Sequence, residues 1–145
     1  MSSEDTQAVP EAVRVLLVSP YDEDHLNLRT ILRHSNWQTH SARNQTEAME
    51  YLRGNVAPVV ICETDLPDGS WKDMLAQFAR MDCPPFLVVV SRFADERLWS
   101  EVLNLGAYNV LAKPLSTREV FHVIGLAAQA WERDWKLPRQ LARTA

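Results

Sequence analysis

Apolar runs of strand length alternate with stretches of helical period five times along the chain. That alternation is the mark of βα units building a parallel sheet, because a strand covered on both faces reads as a continuous apolar run. A first strand is expected near Arg14 to Val18, then a helix in which Leu28, Ile31 and Leu32 recur at i, i+3, i+4. A half-buried second strand should run from Trp37 to Ser41. Asn44 with Glu47 three residues on marks a helix start, Ala48, Met49 and Leu52 its inner stripe, and Gly54 its stop. Val59 to Cys62 reads as the central strand. After the turn cluster Leu66-Pro67-Asp68-Gly69, Ser70 caps a helix carrying Trp71, Met74, Leu75 and Phe78. Phe86 to Val90 is the most apolar strand, Leu98, Val102 and Leu105 stripe the next helix, and Gly106 closes it. Tyr108 to Ala112 gives the fifth strand, and Ser116 with Glu119 forms a capping box for a long last helix through Val120, Val123, Ile124, Ala127 and Trp131.

Right-handed crossovers put helices on both faces of such a sheet and open a crevice at the carboxyl ends of its strands, where function should be sought. The residues delivered there are Ser19 and Pro20, Glu63 to Asp65, Ser91, and Lys113 with Pro114.

Composition narrows the choice. The 145 residues suit one domain, expected over 13–130, with a disordered tail at 1–12 and an extension of the last helix at 131–145. No apolar run approaches the roughly 20 residues that span a bilayer, and the polar first eleven residues carry no secretion signal, so the expected location is the cytoplasm without membrane contact. A net charge of −4 offers no basic footprint for nucleic acid. Four dispersed glycines, at 54, 69, 106 and 125, exclude a dinucleotide fingerprint and a Walker loop. Cys62 and Cys83 fit neither a zinc spacing nor a disulfide framework, and the four histidines supply no metal set, so no metal and no cofactor is expected.

The segments Val15-Leu16-Leu17-Val18, Ser41 to Ala48, Glu63-Thr64-Asp65-Leu66-Pro67-Asp68-Gly69, and Gly106-Ala107 through Lys113-Pro114 together resemble the receiver domain of bacterial two-component response regulators (CheY-like), over about residues 13 to 130. The resemblance implies a three-layer, flavodoxin-like (βα)5 fold with strand order 2-1-3-4-5. It also implies a pocket in which an acidic pair after strand one holds Mg²⁺, an Asp after strand three accepts a phosphoryl group, a Ser or Thr after strand four binds that group, and a Lys after strand five neutralises it. Ser91 and Lys113, with Pro114 behind it after an expected cis peptide, match. Four positions depart: the acidic pair aligns with Ser19 and Pro20, the acceptor with Glu63, and the aromatic switch residue with Val110, with Tyr108 two residues earlier.

Those departures carry chemistry. Phosphoryl transfer rests on positioning and on neutralising charge, with the metal a main contributor. Proline offers no side-chain oxygen and serine only a neutral one, whereas Mg²⁺ prefers anionic carboxylates. Asp22, Glu23 and Asp24 are read as favourable charges at a helix start. Glu63 carries one methylene more than Asp, about 1.5 Å of extra reach that misaligns in-line attack. Two readings stand for it: an ion pair toward Lys113 and Ser91 that imitates a partly activated state, or a solvated carboxylate at a strand end. Asp65 is the family's backbone-carbonyl position, and turn chemistry explains Asp65 and Asp68 without acid–base catalysis.

The chain is therefore expected to be a stand-alone atypical receiver, a pseudo-receiver, that is not an enzyme and signals through contact with a kinase or downstream regulator. One rival is phosphorylation by an unusual route at Glu63 or Asp65; another, from a different class, is a flavodoxin-like small-ligand site with Trp71 as a stacking surface. The resemblance places a dimer or partner face on helix four, strand five and helix five. There Trp99, Trp131 and Trp135 are candidate anchors, and an equal reading has Trp131 and Trp135 close the domain's own core.

Overall fold

The computed structural model describes residues 13–136. The tail expected at 1–12 and the end of the extension, 137–145, lie outside the described residues. Strands β1 (Val13–Val18), β2 (Trp37–Ala42), β3 (Val59–Glu63), β4 (Phe86–Ser91) and β5 (Asn109–Ala112) pair in parallel in the order β2-β1-β3-β4-β5. This is the three-layer flavodoxin-like arrangement. Helices α1 (Asp22–Leu32) and α5 (Thr117–Trp131) cover one face, and α2 (Gln45–Gly54), α3 (Trp71–Phe78) and α4 (Glu96–Asn104) the other.

Alternation along the strands sorts the core into two clusters. Leu16, Val18, Val60, Cys62, Leu87 and Val89 meet Ala48, Leu52, Met74, Phe78 and Val102 on the three-helix side. Val15, Leu17, Val59, Ile61, Val88 and Val90 meet Leu28, Leu32, Val120, Ile124 and Ala127 on the other. Trp71, weighed as a stacking surface for a small ligand, is 3% exposed inside the first cluster, so it has no free ring face to offer.

Local chemistry explains where the elements stop. Helix α4 ends in a Schellman motif: Ala107 N–H donates to Val102 O (3.0 Å) and Gly106 N–H to Leu103 O (3.2 Å), with Gly106 at φ +97°. The reversal carries Leu105, expected on the inner stripe, out to half exposure. At α5 Ser116 Oγ accepts from Glu119 N at 3.4 Å, half of the expected box, whereas at α3 the expected cap Ser70 is joined by Asp73 in a complete one.

Asp65–Leu66 pairs antiparallel with Gly69–Ser70, closing the Leu66-Pro67-Asp68-Gly69 turn into a small hairpin. Gly69 has φ +155°, and a Cβ there would come within 2.7 Å of Gln45 Nε2 and 2.8 Å of Asp73 Oδ2. Close approach lets Asp68 sit over the first turn of α2, where its carboxylate accepts from Gln45 N (2.8 Å), Thr46 N (3.0 Å) and Thr46 Oγ1 (2.8 Å). The residue that turn chemistry accounted for is thus a long-range helix cap pinning the loop after β3. What burial Asp68 suffers disfavours its charge, but the amides of Gln45 and Thr46 outweigh that and hold its carboxyl below the usual 3.8. A depressed folded-state value means stability present above pH 3.8 and lost as pH falls through the lower folded value. Asp68→Ala should cost about 1 kcal/mol at neutral pH in urea unfolding, and the difference from the parent should shrink below pH 3.8.

Candidate functional site

The carboxyl edge of the sheet collects the expected residues around one ammonium group. Parallel pairing puts the ends of β1, β3, β4 and β5 side by side, so Ser19, Glu63, Ser91 and Lys113 emerge together. Lys113 is fixed at its backbone by donating N–H to Ser91 O (3.0 Å) and is followed by a cis bond to Pro114. Its Nζ lies 2.5 Å from Glu63 Oε1 and 2.8 Å from Asp24 Oδ2, with the Tyr21 ring centroid 4.9 Å away. All three charged side chains are nearly enclosed, 11% exposed for Lys113 and 8% for each carboxylate.

Both Glu63 oxygens and Asp24 Oδ2 are engaged. Glu63 Oε2 accepts from Thr64 N and Thr64 Oγ1, both at 2.8 Å. Asp24 Oδ2 also accepts from Ser19 Oγ at 2.6 Å, and Ser19 Oγ in turn accepts from Tyr21 N at 3.1 Å. His25 Nε2–H donates to Ser19 O at 2.8 Å; its buried Nδ1 has no partner among the described residues. Burial alone would push the Lys113 ammonium toward neutrality, but the hydrogen bonds and charges of Asp24 and Glu63 prevail and raise its pKa above the ordinary 10.5. Burial and the neighbouring Glu63 charge push the Cys62 thiol far up, so it stays a protonated core residue.

Of the two readings of Glu63, the geometry is the ion pair. Its second expected partner takes no part: Ser91, although buried, turns its hydroxyl to accept from Phe93 N at 2.9 Å. The larger difference is Asp24. Read only as a favourable charge at a helix start, it is buried and belongs to the site, whereas Asp22 and Glu23 beside it are exposed. The sequence held the signal, since Asp24, Leu28 and Leu32 are spaced by four and share the buried stripe of α1. The roles of Thr64, which donates to Glu63 through both its amide and its hydroxyl, and of Tyr21, whose ring lies beside Lys113 Nζ, were not read from the sequence.

The remaining candidates do not join the cluster. Asp65 is exposed in the hairpin, and Val110 is buried in the core, where no rotating aromatic is available. Tyr108 packs beside Phe86, ring centroids 5.2 Å apart. Trp131 is buried and Trp135 half-buried, each with an indole N–H that has no partner among the described residues; Trp99 is 38% exposed. Trp131 thus serves its own domain's core, and of the three only Trp99 is exposed. Among the described residues no helix is long and apolar enough to cross a membrane.

Comparison with known proteins agrees with this architecture. The profile of the response regulator receiver domain matches residues 12–125. The chain therefore belongs to the receiver-domain family of two-component response regulators, signalling modules that engage kinases and downstream proteins. Similar solved structures include the signal receiver domain of an HD domain-containing protein from Pseudomonas fluorescens (22% identity, TM-score 0.79, 89% of this chain and 96% of that one). Others are the chemotaxis response regulator CheY4 of Vibrio cholerae (15%, 0.70, 79% and 98%) and the non-phosphorylated HemR receiver domain from Leptospira biflexa (21%, 0.69, 80% and 94%). At these identities the likeness concerns the fold. No curated protein matches.

Proposed function

We propose that this chain is a degenerate receiver that transmits its signal by protein contact, without ordinary Mg²⁺-dependent aspartyl phosphorylation. The observation that carries the reading is the ammonium of Lys113 bound at once to Glu63 (2.5 Å) and Asp24 (2.8 Å). The family's metal needs hard anionic oxygens with room for octahedral coordination. Here Pro20 has no side-chain ligand, the Ser19 hydroxyl is spent on Asp24, and both nearby carboxylates already share a cation. Among the described residues no group of three His, Cys, Asp or Glu side chains is arranged to hold a metal. These residues do not fit Mg²⁺.

The acceptor position supports the same conclusion. Glu63 presents Oε1 to Lys113 and Oε2 to Thr64, so neither oxygen is free to attack a phosphorus atom in line. Its permanent charge beside Lys113 imitates what a phosphoryl group supplies in a receiver that accepts one. The output is then one fixed shape, read by a kinase or a downstream regulator, with the half-open Trp99 on α4 as a contact candidate.

Incubation with acetyl phosphate and MgCl₂ followed by intact mass tests the reading. The expected spectrum is that of the unmodified chain, and a stoichiometric adduct of about 80 Da at Glu63 or Asp65 would overturn it.

A further inference from the structure

A second cleft lies at the opposite end of the sheet, between the carboxyl half of α1 and the outer strand β2. Its Trp37 pairs with Val13 at the start of β1, whereas Ser19 follows the end of that strand. The cleft holds about 360 Å³ and is lined by Arg29, Thr30, Leu32, Arg33, Trp37 and Thr39. That is the volume of a small-molecule site, with an apolar floor and a few polar groups.

Arg29 and Arg33 are four residues apart, so both guanidinium groups rise from the same side of α1. Both are exposed, and among the described residues neither has a carboxylate partner, so both guanidinium groups are available to an anion. The helix dipole accounts for a cation in the last turn of α1. It does not account for a second one lining the same cleft as a half-open indole. Two planar guanidinium forks match a phosphate better than a single carboxylate, because each can take two oxygens of a dianion.

The ring beside them completes the site. Trp37 and Thr39, two apart on β2, point to the same face. Trp37 packs against the core cluster of Leu28 and Leu32 and is still half-open, lining the cleft; such a supported indole is a stacking platform. Thr30 gives its hydroxyl proton to Leu26 O (2.8 Å) and keeps its acceptor lone pairs, while Thr39 has no side-chain hydrogen bond among the described residues. One hydroxyl can accept and the other can do both, which suits a sugar.

We propose that this cleft binds a nucleoside monophosphate, with the phosphate on Arg29 and Arg33, the base on Trp37, and the sugar hydroxyls on Thr30 and Thr39. The site needs no glycine-rich loop, because side chains rather than backbone amides cradle the phosphate. It is independent of the ion pairs at the other edge, so it stands or falls separately from the reading of Lys113.

The test is an amide NMR titration of the full chain, at low salt, with guanosine 5′-monophosphate, guanosine and inorganic phosphate. The nucleotide should give saturable shifts confined to residues 29–39 and to the Trp37 indole N–H, assigned by its loss in Trp37→Phe, with a Kd of about 0.1–1 mM. Guanosine alone and phosphate alone should each bind about tenfold more weakly or less. The double variant Arg29→Gln, Arg33→Gln, with an unchanged melting temperature, should lose about tenfold in affinity, and 200 mM salt should weaken the parent several-fold. Absence of saturable shifts, equal binding of phosphate alone, or an undiminished response in the double variant would overturn the proposal.

Discussion

Replacing Lys113 with Met should lower stability by about 3–5 kcal/mol, the usual cost of removing one partner from a buried ion pair. The loss is not the strength of one contact. Asp24 and Glu63 are each 8% exposed, and without the ammonium they face one another as two negative charges with little water to screen them. For a chain of this size the change moves the melting midpoint by about 10–15 °C, checked by thermal and urea unfolding at neutral pH. The triple variant Lys113→Met, Asp24→Asn, Glu63→Gln removes all three charges and should recover most of the loss, because the penalty lies in uncompensated charge. A loss below about 1 kcal/mol for Lys113→Met would mean the pair is solvated and the cluster has no energetic role. Because the folded state raises the Lys113 pKa, the parent's extra stability is complete below pH 10.5 and disappears as pH climbs through the folded value. The parent and the triple variant should therefore differ most in their alkaline unfolding.

Restoring the missing anions should restore the metal. In the variant Ser19→Asp, Pro20→Asp, Glu63→Asp the first strand regains two carboxylates, and the third is drawn back from Lys113 by one carbon–carbon bond, about 1.5 Å. Two like charges join a site that already holds Asp24, so the metal-free variant should be less stable than the parent by about 3 kcal/mol. Mg²⁺ should relieve that repulsion. With a Kd on the order of 1 mM, 10 mM Mg²⁺ returns RT ln 11, about 1.4 kcal/mol, read as a rise in melting temperature that the parent lacks. A variant indifferent to Mg²⁺ would show that the pocket's shape, and not its charge, bars the ion.

The fold was legible because its evidence is periodic. Strand Val59–Glu63 is buried throughout and Phe86–Ser91 from Leu87 on, and each reads as an apolar run up to its last residue; helix stripes such as Trp71, Met74 and Phe78 fall where burial is found. Leu105 broke the pattern because a glycine reversal, not the stripe, sets its position. The candidate site was legible only in part. Residues fixed by strand ends, Ser19, Glu63, Ser91 and Lys113, could be placed from topology alone, but which of them touch depends on side-chain competition. Ser91 is taken by the amide of Phe93, and Asp24 reaches inward because its helical phase matches Leu28 and Leu32. A charge in the first turn of a helix has an ordinary explanation, and here that explanation hid a member of the site.

The most direct check on the pocket is a Mg²⁺ titration of the unaltered chain, followed by the amide signals of Ser19, Thr64 and Lys113. Internal neutralisation predicts no saturable movement of those signals up to about 20 mM, a concentration well above what a working carboxylate site needs. Shifts that saturate at low millimolar Mg²⁺ and centre on Asp24 and Glu63 would contradict it, for the cation would then have displaced the ammonium of Lys113.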